Sequence, residues 1–120
     1  MLEPYLAYLD EGIVVMHPAT GEIEMNPNMA LWLGRRETRI KDILWPDFIN
    51  HVFPVGDYKV LSSLKAQLPV FKSELVLYGK NQTAFPVQVT LLPDSHVTGH
   101  GQTCMIVKDV SSERKLNALK

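Results

Sequence analysis

The chain has little cysteine, no excess of positive charge and no long apolar run. Cys104 is the only cysteine in 120 residues, so neither an internal disulfide nor a multi-cysteine zinc site can form. Twelve basic and thirteen acidic side chains give a net charge of -1. Because the charges of the two signs nearly cancel, binding to nucleic acid or to anionic membranes is not expected.

The apolar runs also exclude a membrane-spanning helix within these residues. They reach about six residues, whereas a span needs about twenty. Residues 1–15 carry acidic side chains and no basic region, unlike a signal peptide. Hydrophobic residues make up 46% of the chain and charged residues 21%, which is typical of a globular domain. We therefore expect a single cytoplasmic domain, which could belong to a membrane-anchored protein.

The stretch 101–115 joins a buried strand to the start of a helix. Residues 103–110 are apolar and β-branched, and they are too few for an ordinary helix, so they predict a strand in the middle of a sheet. Ser111 or Ser112 can cap a following helix, and Glu113 adds negative charge to its first turn. The apolar pattern breaks off at the C-terminus, so we expect the natural chain to continue.

The N-terminal part predicts a helix followed by a hairpin. Residues 1–10 carry apolar side chains three and four apart, which indicates a short amphipathic helix that could pair with a second copy. Two strands, 13–16 and 22–25, are joined by a loop at 17–21. Glu22 and Glu24 share one face of the second strand, where exposure at a sheet edge is the ordinary expectation.

Several helices are predicted next. Asn26 can cap a short helix that Gly34 ends. Two short helical pieces follow, at 39–44 and 47–52. A three-turn helix, capped by Asp57, is predicted to run to residue 68, with these apolar side chains on its buried face: Tyr58, Val60, Leu61, Leu64 and Leu68.

A long antiparallel hairpin completes the pattern. Strands at 70–78 and 83–92 flank a turn that begins at Gly79. Strict alternation places Phe71, Ser73, Leu75 and Leu77 on one face of the first strand. The order is thus two strands, short helices, one longer helix and three long strands.

This order and four short stretches resemble the PAS sensory domain family. The first stretch is 9–15, which resembles the family's first strand. The second combines 21–23 with 26–30 and Gly34, and the third is the hairpin 79–89. The fourth, 109–115, reads Asp-Val-Ser-Ser-Glu-Arg-Lys and is similar to the family's closing Asp-Ile-Thr-Glu-Arg-Lys signature. Together the four stretches span nearly the whole chain.

The resemblance implies an α+β fold, with a PAS-like five-stranded antiparallel sheet and short helices covering one face. It divides the chain into an N-terminal helix at 1–10, the PAS domain at 11–110 and the start of a C-terminal signalling helix at 111–120. In such a fold the Asp109 carboxylate would brace the junction with that helix, through Arg114 or a backbone amide.

A pocket between helices and sheet follows from the same resemblance. Plain core packing is the more ordinary role for such residues. The candidates to line the pocket are Trp32, Trp45, Phe48, Phe53, Tyr58, Leu61, Phe71 and Cys104.

No cofactor is predicted. The flavin-reactive cysteine motif of light-sensing relatives is missing, and packing as a small hydrophobe is the ordinary role of Cys104. The longer helix lacks the axial histidine of haem-binding relatives, although His51 lies near the cap. His96 and His100 could form only a weak metal pair.

We expect a sensory and dimerisation module, a homodimer fused to an effector such as a histidine kinase or a diguanylate cyclase. It would bind a small ligand or partner and relay a conformational change, and it would contact neither nucleic acid nor membrane. Arg35, Arg36 and Arg39 could clamp an anionic ligand, although a solvated face is the ordinary role of such a cluster.

Two alternatives remain open. One is a ligand-free PAS dimerisation scaffold. The other is a small cone-shaped α+β enzyme, which would need a buried acid or base facing a cavity. The cap offers only Asp42, Asp47 and His51 for that role, and no catalytic motif is present.

Overall fold

The last of the described strands lies in the centre of an antiparallel sheet. The structure, a computed structural model, describes residues 11–93 and 101–111. Six strands pair in the order β3-β2-β1-β6-β5-β4. The strands are β1 (Glu11–His17), β2 (Glu22–Met25), β3 (Arg39–Ile40), β4 (Val70–Tyr78), β5 (Ala84–Leu92) and β6 (Thr103–Asp109). Among the described residues the helices are α1 (Pro27–Leu33), α2 (Trp45–Val52) and α3 (Tyr58–Lys65).

The predicted central position of residues 103–110 is confirmed. β6 pairs with β1 on one side and with β5 on the other. Alternate side chains of β6, including Met105 and Val107, are fully buried. They join a core formed by the inner sheet face together with residues of all three helices, among them Met29, Phe48 and Leu64. The helices therefore cover one face of the sheet.

The sheet has six strands and not the predicted five. The helical piece expected at 39–44 is wrong, because Arg39 and Ile40 instead form β3, which pairs with β2. Ile40 is buried in the core, so this short strand contributes one apolar side chain to it. α2 begins at Trp45, two residues earlier than predicted, with Pro46 in its first turn, where a missing N–H costs nothing.

The Asn26 side chain ties α1 to β1. Its Oδ1 accepts hydrogen bonds from the backbone N–H groups of Met29 and Ile13, each at 3.0 Å, and its Nδ2 donates to the carbonyl of Glu11 at 3.0 Å. Asn26 is completely buried. The predicted cap is confirmed, and Gly34 ends the helix at φ 70° as expected.

α3 is shorter than predicted. Its cap is Asp57, as expected, with Oδ1 accepting from the N–H groups of Lys59 and Val60. Its end is a Schellman motif, in which the N–H of Leu68 donates to the carbonyl of Ser63 at 2.8 Å. Gln67 occupies the left-handed position of that motif, at φ 57°. Leu68 therefore lies beyond the helix and is exposed.

The hairpin of β4 and β5 is confirmed, but Phe71 does not share a face with Leu75 and Leu77. The register between the strands shifts between Val70 and Ser73, where Lys72 takes φ 47°. The N–H of Lys72 donates to Thr90 Oγ1 at 3.1 Å, which holds this bulge in place. The bulge turns Phe71 outward, and the side chain is 76% exposed.

The predicted N-terminal helix at 1–10, residues 94–100 and most of the predicted C-terminal helix lie outside the described residues. In the described ranges, none of the helices has the length and apolarity that crossing a bilayer requires.

We expect Asn26→Ala to lower the free energy of unfolding by about 2–4 kcal/mol, because it removes a helix cap and leaves buried backbone groups without partners. Urea denaturation followed by circular dichroism measures the loss. Asp57→Ala is the matched control: it removes an exposed cap and should cost about 1 kcal/mol. Equal losses in the two variants would contradict the role assigned to Asn26.

Candidate functional site

Three of the predicted pocket residues meet between the helices and the sheet. Trp45 and Phe48 stack with ring centroids 5.8 Å apart, and Phe53 is fully buried beside the same core. The indole Nε1 of Trp45 donates to the carbonyl of Leu64 at 2.7 Å, which satisfies the polar atom of this buried ring. These rings occupy the interior as packed core.

Two more candidates lie at the margin of this core. Trp32 and Leu61 are partly buried against it. Trp32 makes an edge-to-face contact with Phe85, with ring centroids 5.4 Å apart. Both residues pack in the way expected of a core boundary.

The remaining three candidates lie outside the interior. Tyr58 is 83% exposed, because it is the first residue of α3 and projects away from the sheet. Phe71 is turned outward by the bulge and lines a cavity of about 360 Å³ on the outer sheet face. Cys104 alternates with the buried Thr103 and Met105, so its side chain faces the side of the sheet opposite to the helices.

A second cavity, of about 500 Å³, opens at the end of the sheet beside the β1–β2 turn. We call it the turn cleft. Its walls combine apolar side chains with one cation, one anion and an amide. The lining residues are Met16, Thr20, Gly21, Lys41, Asp42, Ile43, Leu44, Trp45, Pro46 and Gln67. A cavity of this volume lies within the range of small-molecule sites.

The turn cleft is connected to the central strand through Gln67. Gln67 Oε1 accepts a hydrogen bond of 2.8 Å from the Thr103 hydroxyl, which is buried at the start of β6. Met16 is a second connection, because it pairs with Thr103 in the sheet. The helix predicted to run to residue 68 includes Gln67, but not on its buried face. The signal that could have corrected this is Pro69, which disfavours helical backbone at the residue before it.

Glu22 and Glu24 are not at an exposed edge, because β3 lies beside them. Their side chains are 12% and 16% exposed. Arg39 lies 3.2 Å from one carboxylate and 3.6 Å from the other. His17 Nε2 lies 3.1 Å from Glu24 Oε1, and His17 Nδ1 lies 2.8 Å from Gln102 Nε2. Arg39 therefore serves this network and not the anion clamp considered from sequence.

The contact between Arg39 and Glu22 is an ion pair without hydrogen-bond geometry, since Glu22 Oε1 has no hydrogen-bond donor within the described ranges. Metal binding finds no support in this network: across residues 11–93 and 101–111, no group of three potential ligands is placed to hold an ion. His96 and His100 lie outside those ranges. Asp42, Asp47 and His51 are all exposed, so none is the buried acid or base that an enzyme would need.

The end of β6 is held at two points. The N–H of Val110 donates to the carbonyl of Pro86 in β5 at 3.1 Å, and the Val110 side chain is buried. Asp109 Oδ1 then accepts from both the N–H and the hydroxyl of Ser111, at 2.9 and 2.7 Å. These contacts fix residues 109–111 relative to β5. Arg114, the other partner predicted for Asp109, lies outside the described residues.

Two solved structures share this architecture. A sensory box histidine kinase/response regulator from Burkholderia thailandensis E264 matches with a TM-score of 0.57 at 18% sequence identity, over 96% of this chain and 88% of that one. A domain of the sensory box sensor histidine kinase/response regulator from Geobacter sulfurreducens matches with a TM-score of 0.54 at 19% identity, over 88% of this chain and 90% of that one.

No protein-family model and no curated protein matches the chain. At this level of identity, the likeness to solved structures shows the fold. The chain has a PAS-like α+β fold, as the resemblance predicts.

We expect Cys104 to react slowly with thiol reagents. Burial raises the pKa of its thiol, since a low-polarity environment disfavours the thiolate. Because the thiolate is the reacting species, alkylation by iodoacetamide near neutral pH should be about tenfold or more slower in the folded chain than in urea. Mass spectrometry follows the single cysteine. Equal rates in the two states would show that the thiol is freely accessible.

Proposed function

We propose that the chain is the sensory and dimerisation module of a larger cytoplasmic signalling protein and is not itself an enzyme. A small ligand or partner would change its conformation, and the C-terminal segment would carry that change to a fused effector such as a histidine kinase or a diguanylate cyclase. The fold supports this proposal, because the two similar structures described above come from sensory box histidine kinases.

The observation that carries the proposal is the junction at the end of β6. Asp109 and Ser111 form a closed hydrogen-bonded turn directly where the chain leaves the centre of the sheet. Because the neighbouring Val110 is bonded to β5, a change in the relative position of the strands moves this turn with it.

The mechanism that follows is a population shift between two arrangements of the sheet. β6 is hydrogen-bonded to a neighbouring strand along both edges, so a change in the twist of the sheet also changes the position of β6. A ligand favours one arrangement only by its difference in affinity for the two. Coupling free energies between two sites are about 1–3 kcal/mol, which corresponds to a change of about 5- to 150-fold in binding affinity.

A ligand-free dimerisation scaffold is the second candidate, and the packing of the interior favours it. Trp45, Phe48 and Phe53 are buried where the pocket was predicted. On the outer sheet face, by contrast, Ile13, Val15 and Ile106 are only partly buried, which leaves an apolar surface for a second copy.

The two candidates differ in how β6 responds to small molecules. If the chain is a sensor, a deproteinised cell extract should change hydrogen exchange in residues 103–111, measured by mass spectrometry. A dimer by analytical ultracentrifugation whose exchange is unchanged by the extract would favour the scaffold.

The junction itself is tested in a chimaera, with this chain in place of the sensory domain of a histidine kinase. We expect Asp109→Ala to change autophosphorylation by about fivefold or more, because it removes both acceptor contacts of the turn. Asp109→Asn retains an Oδ1 acceptor and should behave nearly as the unchanged chain. Ser111→Ala, which loses only the hydroxyl contact, should fall between the two.

Asp57→Ala serves as the control for general destabilisation, since it removes a cap far along the chain from the junction. If Asp109→Ala had no more effect on kinase output than Asp57→Ala, the relay through the junction would be wrong.

A further inference from the structure

We propose that the turn cleft binds a small zwitterion with an apolar body, such as a free α-amino acid with an apolar side chain, and that Gln67 reports its occupancy to β6. The signalling role of this site rests on the proposed sensory function. The evidence for ligand binding is the geometry of the cleft itself.

The charges of the turn cleft favour a ligand that carries both signs. Lys41 and Asp42 contribute one positive and one negative charge to its lining. In the described part of the chain, neither side chain has an ion-pair or hydrogen-bond partner. A carboxylate alone would face Asp42, and an amine alone would face Lys41. A zwitterion can pair with both.

The other residues that line the cleft favour a ligand with an apolar side chain. Met16 and Trp45 form a buried floor, at 8% and 5% exposure, and Ile43 is partly buried beside them. Leu44 lines the same cleft but is 72% exposed. A ligand whose side chain covered Leu44 would remove apolar surface from water, which favours binding.

Gln67 is placed to sense such a ligand. Its Oε1 is engaged by Thr103, whereas its side-chain NH₂ group has no partner among the described residues and can donate to a ligand carboxylate. The Schellman motif at the end of α3 fixes the backbone of Gln67, so the side chain is the part that can move. Because Thr103 has Gln67 as the partner of its buried hydroxyl, reorientation of the amide acts directly on the start of β6.

The binding site is tested by titrating the ¹⁵N-labelled chain with phenylalanine and leucine at millimolar concentrations. We expect amide shifts at Gly21, Lys41, Ile43 and Gln67. Two analogues of phenylalanine are the ligand controls. The first, 3-phenylpropanoate, lacks the amine, and the second, 2-phenylethylamine, lacks the carboxylate. Each should bind about three- to fivefold more weakly, because one exposed ion pair is lost.

Two variants test the head-group assignment. Asp42→Ala should remove the preference for phenylalanine over 3-phenylpropanoate, and Lys41→Ala the preference over 2-phenylethylamine. Lys59→Ala, outside the cleft, should leave both preferences unchanged. If neither amino acid shifted the cleft amides, or if the preferences survived in both cleft variants, the site would be refuted.

The link to β6 is tested with Thr103→Val, which keeps the shape of the side chain and removes its hydroxyl. Phenylalanine should still bind this variant, but the shifts that it causes in residues 104–109 should be lost. Gln67→Ala should lose the same distant shifts and should also bind more weakly. Persistence of the β6 shifts in both variants would refute the link.

The failure of this site and the failure of the proposed function are separable. If phenylalanine binds but the kinase chimaera does not respond to it, the cleft stands and the sensory relay does not. If Asp109→Ala changes kinase output while neither amino acid shifts the cleft amides, the relay stands and this ligand class is wrong.

Discussion

The two halves of the sheet are joined through β6. The N-terminal half consists of β1, β2 and β3, the C-terminal half of β4 and β5, and within the described residues the ladders between them run through β6 on both sides. The core follows the same arrangement, because Met105 and Val107 fill its centre. Since β6 is also the last of the described strands in sequence order, the sheet can close only after the other five have been synthesised, and the residues that β6 pairs with in β1 and β5 are distant in sequence.

Much of this arrangement was predictable, because the long strands and the helix caps have local signatures. Alternating apolar residues indicated β5 and most of β4, a short apolar run indicated β6, and Asn26 and Asp57 indicated the starts of two helices. The features that were not predicted have physical explanations. A two-residue strand such as β3 carries no periodicity, and nothing in the residue type of Lys72 announces a positive φ, since glycine or asparagine is the usual occupant.

The candidate site was predictable only in part. Large aromatic residues were expected to line a pocket. Phe48 and Phe53 are buried in the core, whereas Trp45 belongs to the core and also lines the turn cleft. The turn cleft draws on the β1–β2 turn, on residues 41–46 and on Gln67, and sequence spacing does not reveal that these segments meet. A PAS-like domain with a well-filled interior can thus retain a place for a ligand at its margin, where a hydrogen bond to the central strand is within reach.

The bulge at Lys72 has a consequence for the behaviour of the protein in a crowded cell. An open sheet offers unpaired backbone groups along its two outermost strands, which can template aggregation. Here one outermost strand, β3, is only two residues long, and the other, β4, is interrupted by the bulge. A lysine at that interruption, with its ammonium 5.3 Å from the Phe71 ring, adds charge to the one long edge. The regular part of this edge is therefore limited to Ser73–Tyr78, and the edge at β3 is shorter still, which restricts the length of backbone to which further copies could add.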